Sequence, residues 1–128
     1  QEAAGHLPLH FHLAWEMTRD TAAALEELIR LGVKSVRTTG GQALGGRAMK
    51  ARAQIRAFHE QAAGRIDLLL AGGVSAENVE VLVRETGVVH AHAGSSVRHP
   101  PNPKGVVVAS KVRELREALD RAVEGASA

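Results

Sequence analysis

Cysteine and tyrosine are absent from this 128-residue chain, and its aromatic side chains are limited to two phenylalanines and one tryptophan. Without cysteine, the chain forms neither a disulfide framework nor a thiolate metal site. Hydrophobic residues still make up 45% of the sequence, so the core must be built from Leu, Val, Ile and Ala. That composition is typical of a parallel sheet covered by helices.

The distribution of charge and hydropathy argues against nucleic-acid and membrane partners. The chain has 16 Lys and Arg residues and 14 Asp and Glu residues, for a formal charge of +2. The basic residues are scattered along the chain and not clustered. No apolar run approaches 18 residues, and the N-terminus lacks the basic-then-apolar order of a signal peptide. We therefore expect a soluble, cytoplasmic protein. Because the sequence begins with Gln1 rather than Met, we also expect its translational start to lie upstream.

Three glycines, Gly32, Gly64 and Gly87, each end a helical pattern and lead directly into a strand pattern. The predicted strands are residues 9–12, 35–38, 66–70 and 88–91, and each precedes a segment with one apolar helical face. Strands joined through helices run parallel, with right-handed crossovers. The sequence thus predicts an α/β fold: one domain, residues 1–128, comprising four βα units, or half, of a parallel (β/α) barrel of TIM type. Three residues that precede these helices are predicted N-caps: Asp20, Ser75 and Ser110.

The βα junctions carry an ordered set of short motifs. They are FHLAWE at residues 11–16, VRTTGG at 36–41, LAGGV at 70–74 followed by AENV at 76–79, and VHAHAG at 89–94. This set resembles the second half of the barrel of the CutC copper-homeostasis family, over nearly the whole chain. Leu13, Glu16 and His92 stand where the family has Arg, Asp and Ser. The resemblance implies a role in copper homeostasis, with copper as the bound metal.

Two pairs of histidines lie on predicted strands: His10 with His12, and His90 with His92. Residues two apart on a strand point to the same face, and imidazole is a common ligand of copper and zinc. The four histidines, with Glu16, are therefore candidate metal ligands. The alternative is that His12 and His90 are polar residues lining a barrel and that His10 and His92 have no role. Their strands are separated by two others at about 4.8 Å spacing, so convergence depends on sheet curvature.

A second candidate site comprises Gly72 and Gly73 at the third junction and Gly94 and Ser95 at the fourth. Backbone amides at such junctions of a barrel bind phosphate groups. The alternative function is thus an isomerase, epimerase or aldolase acting on a small phosphorylated metabolite, with His12 or Glu16 transferring protons. The other interpretation of the glycines is that they only permit tight turns.

Three expectations concern how the elements are arranged. Because each lies at a βα junction, six residues are expected to surround one cavity: His12, Glu16, Thr38, Gly72, His90 and Ser95. The first and fourth strands leave open sheet edges, which predicts either a homodimer or pairing with a missing N-terminal half. Residues 99–105, rich in proline, are expected to form a connection rather than a lid.

Overall fold

Four parallel strands form one sheet in a computed structural model, which describes residues 3–42 and 45–127. The strands are β1 (His10–Phe11), β2 (Ser35–Thr38), β3 (Asp67–Leu70) and β4 (His90–Ala91), paired in chain order. Three helices connect them, α1 (Thr21–Arg30), α2 (Arg52–Ala62) and α3 (Val79–Thr86), and α4 (Ala109–Ser127) follows the hairpin after β4. This order confirms the prediction of four βα units of a parallel barrel. No helix in the described ranges is long and apolar enough to cross a membrane.

The hairpin was not expected from the sequence. Strands β5 (Arg98–His99) and β6 (Val106–Val107) pair antiparallel across the proline-rich connection. The side chain of Arg98 stabilises the hairpin, because its Nη1 donates to the carbonyl of Gly105 at 2.8 Å. Short 3₁₀ segments also occupy three loops: Leu13–Met17, Ala48–Lys50 and Ser95–Val97.

The helix-facing side of the sheet is buried. Val36 and Thr38 from β2, with Leu68 and Leu70 from β3, lie under the helices and are almost inaccessible to solvent. Each fully buried aliphatic side chain of this kind stabilises the fold by about 1.5–3 kcal/mol. Two of the few aromatic side chains also pack in this core. The ring of Trp15 contacts that of Phe58 edge to face, with centroids 5.0 Å apart.

The three glycines end helices as predicted, but only one of the three predicted N-caps is correct. Gly32, Gly64 and Gly87 all have positive φ, between 78° and 82°, which glycine adopts at little cost. Asp20 caps α1 by accepting from the amide of Ala23 at 3.0 Å. Ser110 is not an N-cap, because α4 already begins at Ala109. The Ser75 side chain is not one either, since Asn78 takes the N-cap position of α3.

The opposite face of the sheet is open and polar. The register aligns His10, Ser35 and Asp67 across β1, β2 and β3, and aligns Arg37, Leu69 and His90 across β2, β3 and β4. Alternation along the strands points these side chains away from the buried core. His10, Asp67 and His90 are exposed, and the other three are half-buried. In a closed barrel this face is the interior.

Candidate functional site at the barrel mouth

A cavity of about 560 Å³ opens where β2, β3 and β4 end. The predicted anion-site residues all line it: Gly72, Gly73, Gly94 and Ser95. The other polar groups on its wall are Arg37, Thr39, Arg47, His92, Ser96 and Asn102. Within the described residues its lining therefore contains two arginines and no carboxylate.

The glycine turn after β3 allows another backbone segment to approach closely. A Cβ on Gly72 would lie 2.3 Å from the carbonyl oxygen of Gly46, and one on Gly73 would lie 2.6 Å from Nη1 of Arg47. The amide of Ala48 also donates to the carbonyl of Gly72 at 3.0 Å. The two glycines thus do more than permit a turn: their missing side chains leave the space in which Arg47 reaches the cavity.

Side-chain hydrogen bonds fix the two glycine-containing junctions. Asn78 accepts from the amide of Ser75 at 2.9 Å and donates to the carbonyl of Gly73 at 2.8 Å. Ser96 donates its hydroxyl to the carbonyl of Val74 at 2.5 Å, which ties the fourth junction to the third. These bonds hold one wall of the cavity in a defined shape.

The backbone amides of this wall are available to a ligand. Over residues 3–42 and 45–127, no hydrogen-bond acceptor is found for the N–H groups of Gly73, Gly94 and Ser95. Gly73 is exposed and Gly94 and Ser95 are half-buried, so the partner of each of these amides is solvent or a bound group. These amides and the guanidinium groups of Arg37 and Arg47 make the described wall rich in hydrogen-bond donors.

The fixed positive charge of Arg37 influences the histidines of the open face. Its Nη1 lies 3.3 Å from Nε2 of His92, and because arginine only donates, His92 accepts there in its neutral form. Burial, then Arg37 and then His10 lower the pKa of His92. The pKa of His10 is lowered by burial, then by Arg37 and His12. Both rings therefore favour the neutral state more than free histidine does.

Glu16 lies beneath the cavity and not on its wall. It is only 4% exposed, and its oxygens accept from the hydroxyl of Thr38 at 2.6 Å and from the amide and hydroxyl of Thr39 at 2.8 Å and 2.5 Å. Thr39 does line the cavity. Glu16 thus acts on the site by positioning Thr39.

The remaining junction residues lie elsewhere. His12 is exposed and its Nδ1 accepts from the amide of Ala14 at 2.9 Å, which begins the 3₁₀ segment. Thr38 is buried toward the helices, and His90 lines a different cavity beside β4. Of the six residues expected around one cavity, only Gly72 and Ser95 line it. The expectation is wrong for the other four. Glu16 and Thr38 are held in buried hydrogen bonds beneath the mouth. His12 caps the 3₁₀ segment, and His90 lies two residues before His92, beside α4.

Comparison with known proteins identifies the relatives of this chain. A sequence profile of the CutC family matches residues 1–97. The chain belongs to the CutC family. A CutC protein of Pasteurella multocida is 35% identical over 91 residues, which are 71% of this chain and 36% of the relative. One from Vibrio campbellii is 35% identical over 106 residues, which are 83% of this chain and 42% of the relative.

A solved CutC structure supports the fold. The protein, from Streptococcus agalactiae and named for copper homeostasis, matches with a TM-score of 0.66 and 33% identity, over 71% of this chain and 44% of the other. The resemblance read from the junction motifs is thereby confirmed. The chain spans less than half the length of these CutC relatives.

The residues described here do not fit copper by themselves. No group of three His, Cys, Asp or Glu side chains comes together in the described part of this CutC chain. His10 and His92 interact electrostatically, but the guanidinium of Arg37 acts on both rings and lies 3.3 Å from that of His92. Two imidazoles beside a fixed positive charge make a poor site for a metal cation.

Both arginines of the cavity were missed by sequence reasoning. Arg37 could have been found, because alternation in β2 places it on the same face as Ser35. Arg47 gives no comparable signal, since it lies in the connection between β2 and α2 and reaches the mouth only through its contact with Gly73.

Proposed function

We propose that this chain acts in cytoplasmic copper homeostasis and that its barrel mouth binds a small anion, of the class of phosphorylated metabolites. Membership of the CutC family supports the first part. The second rests on one observation: the mouth cavity is lined by Arg37, Arg47 and unpartnered amides, without a carboxylate among its described residues. Such a wall favours negative charge.

The size and shape of the cavity agree with a small ligand. A volume of about 560 Å³ lies in the range of small-molecule pockets. Arg47 packs against Gly73, so its guanidinium and the glycine amides are placed to donate to the same anion. Arginine also binds phosphate and carboxylate oxygens through two parallel hydrogen bonds.

For the enzyme alternative, proton transfer falls on His92 rather than on His12 or Glu16. His92 is the one imidazole among the described residues that line the cavity. An isomerase, epimerase or aldolase would need a group of this kind within about 3 Å of the proton that moves. Glu16 lacks such access because both of its oxygens are engaged by threonines.

Copper binding is the second candidate, and the observation that favours it is that two imidazoles of the open face, those of His10 and His92, interact electrostatically. These rings supply two imidazoles, so a copper ion would require at least one further ligand from outside the described residues. Its affinity would fall as the pH drops through the histidine pKa values, because only neutral imidazole binds metal.

Isothermal titration with inorganic phosphate, a panel of sugar phosphates, and Cu(I), Cu(II) and Zn(II) separates the two candidates. We expect phosphate binding that Arg47→Met weakens by roughly tenfold or more, as for loss of a charge-assisted hydrogen bond. The matched control is Arg113→Met, on the exposed surface of α4, which should leave affinity unchanged. Absence of phosphate binding, or equal affinity in both variants, would exclude the anion site.

A further inference from the structure

The tip of the hairpin β5–β6 forms part of the wall of the mouth cavity. Its residues Pro101, Asn102 and Pro103 line the cavity together with the donor-rich junctions after β2, β3 and β4. The hairpin lies beyond residues 1–97, which the CutC profile matches. The proline-rich connection therefore does more than join β4 to α4, since it supplies a wall of the site.

Hydrogen bonds and close packing hold the hairpin tip in a defined shape. The amide of Asn102 donates to the carbonyl of Pro100 at 2.8 Å, and the amide of Gly105 donates to the carbonyl of Asn102 at 3.0 Å. Gly105 is buried, and a Cβ there would collide with the carbonyl oxygen of Pro100. At the base of the hairpin, Nζ of Lys111 donates to the carbonyl of Arg98 at 3.2 Å. A wall that is ordered in advance costs less entropy when a ligand binds.

The side chain of Asn102 keeps one of its two polar groups for a ligand. Its Oδ1 accepts from the amide of Lys104 at 2.9 Å, which fixes the orientation of the group. Over residues 3–42 and 45–127, no acceptor is found for its Nδ2, although this atom carries two N–H donors. A donor fixed in this way on a cavity wall recognises a carbonyl oxygen or a ring nitrogen.

The two prolines of the tip place apolar surface beside this donor. Pro101 and Pro103 flank Asn102 in the sequence, and all three line the cavity. Proline rings pack well against the flat faces of aromatic rings. A polyhydroxylated chain would instead leave hydroxyl groups against apolar surface without partners. The tip therefore fits a flat ring that carries an acceptor on its edge.

We propose that the hairpin tip determines the ligand specificity of the mouth by binding a heteroaromatic ring attached to the phosphate group. The phosphate binds at the glycine amides and Arg47, on the donor-rich wall. The ring lies against Pro101 and Pro103, and Nδ2 of Asn102 donates to its acceptor. The ligand is thus a phosphate ester of a heteroaromatic compound, of the size of a nucleoside monophosphate, which a cavity of about 560 Å³ accommodates. This inference rests on the proposed anion site, since it assigns the rest of the same ligand.

Isothermal titration with inorganic phosphate, ribose phosphate and uridine monophosphate tests this assignment. We expect uridine monophosphate to bind about tenfold more tightly than ribose phosphate, because the base adds one hydrogen bond and apolar contacts. Asn102→Asp keeps an oxygen for the amide of Lys104 and removes the Nδ2 donor, so it should bring the two affinities close together. Its added charge weakens both ligands alike, which makes the ratio of the two affinities the readout.

Two further variants complete the test. Gln54→Glu makes the same change of amide to carboxylate on the exposed surface of α2, and it should leave the ratio unchanged. Pro101→Ser, which removes apolar surface from the tip, should lower the ratio and covers the case in which Asn102→Asp does not fold. Absence of phosphate binding would overturn the anion site and this assignment together. Phosphate binding with equal affinities for ribose phosphate and uridine monophosphate, or with a ratio that neither hairpin variant changes, would overturn the assignment alone.

Discussion

At the scale of single residues, the clearest structural role belongs to Glu16. Its buried carboxylate accepts three hydrogen bonds from two consecutive threonines at the end of β2. A buried acceptor with several donors is costly to remove, because each donor is then left without a partner. Glu16, which the sequence offers as a candidate for proton transfer, therefore has a structural role at the end of β2.

We expect Glu16→Ala to lower the free energy of unfolding by about 2–3 kcal/mol, the cost of leaving buried donors unsatisfied. Urea unfolding followed by circular dichroism measures it. Glu114→Ala, which removes an exposed carboxylate on α4, should change stability by less than about 0.5 kcal/mol. Equal effects of the two substitutions would show that the threonine bonds do not stabilise the junction.

The histidines of the open face give a second prediction at this scale. Arg37 contributes to the lowered pKa of both His10 and His92, after burial in each case. Arg37→Met should therefore raise both pKa values while leaving them below that of free histidine, because burial remains. Titration of the ring resonances by NMR measures the change, and Arg113→Met should produce none.

The same shifts set the direction of the pH dependence of stability. A histidine whose pKa is lower in the folded chain takes up its proton more readily in the unfolded chain. Stability is thus retained above about pH 6.5, the unfolded value, and lost as the pH falls through the folded values. In Arg37→Met this loss should be smaller. An unchanged pH dependence would contradict the assigned role of Arg37.

At the scale of secondary-structure elements, the turns differ in how much they depend on glycine. Gly64 and Gly72 both have positive φ, 78° and 90°, but a Cβ on Gly64 would meet nothing within 4 Å whereas one on Gly72 would collide with the backbone of Gly46. The first turn needs glycine only for its conformation. The second also needs the empty space.

Gly64→Ala should therefore cost about 1–2 kcal/mol, the penalty for a left-handed alanine. Gly72→Ala should cost more and should also weaken phosphate binding, because the segment that carries Arg47 must move. Urea unfolding and phosphate titration of both variants make the comparison. Equal losses of stability would mean that the approach of Gly46 to Gly72 is not maintained in solution.

The elements also show what the sequence predicts well. The periodicity of apolar residues and the glycines at helix ends predict β2, β3 and the helices that follow them. These signals are local in the sequence, so they can be read without knowledge of the fold. The hairpin β5–β6 could not be found this way: its strands have two residues each and are separated by prolines. The glycines of the mouth were predictable, whereas Arg47 was not, because its position depends on a contact between distant segments.

At the scale of the whole molecule, stability should be uneven across the sheet. The central strands β2 and β3 each have four residues and two neighbours, while β1 and β4 have two residues and one neighbour each. Amides of the central strands should therefore exchange with solvent only through global unfolding. The edge strands belong to the least protected part of the sheet unless another chain covers them.

This contrast yields a prediction for hydrogen exchange. Backbone groups alternate sides along a strand, so the amides of His10 on β1 and Ala91 on β4 point away from the neighbouring strand, whereas that of Leu70 points into the sheet. The first two amides should therefore exchange much faster than the third. NMR-detected exchange resolves the three amides separately, and the amide of Leu70 serves as the internal reference. Equal protection of all three would mean that the outer sides of β1 and β4 are covered in solution.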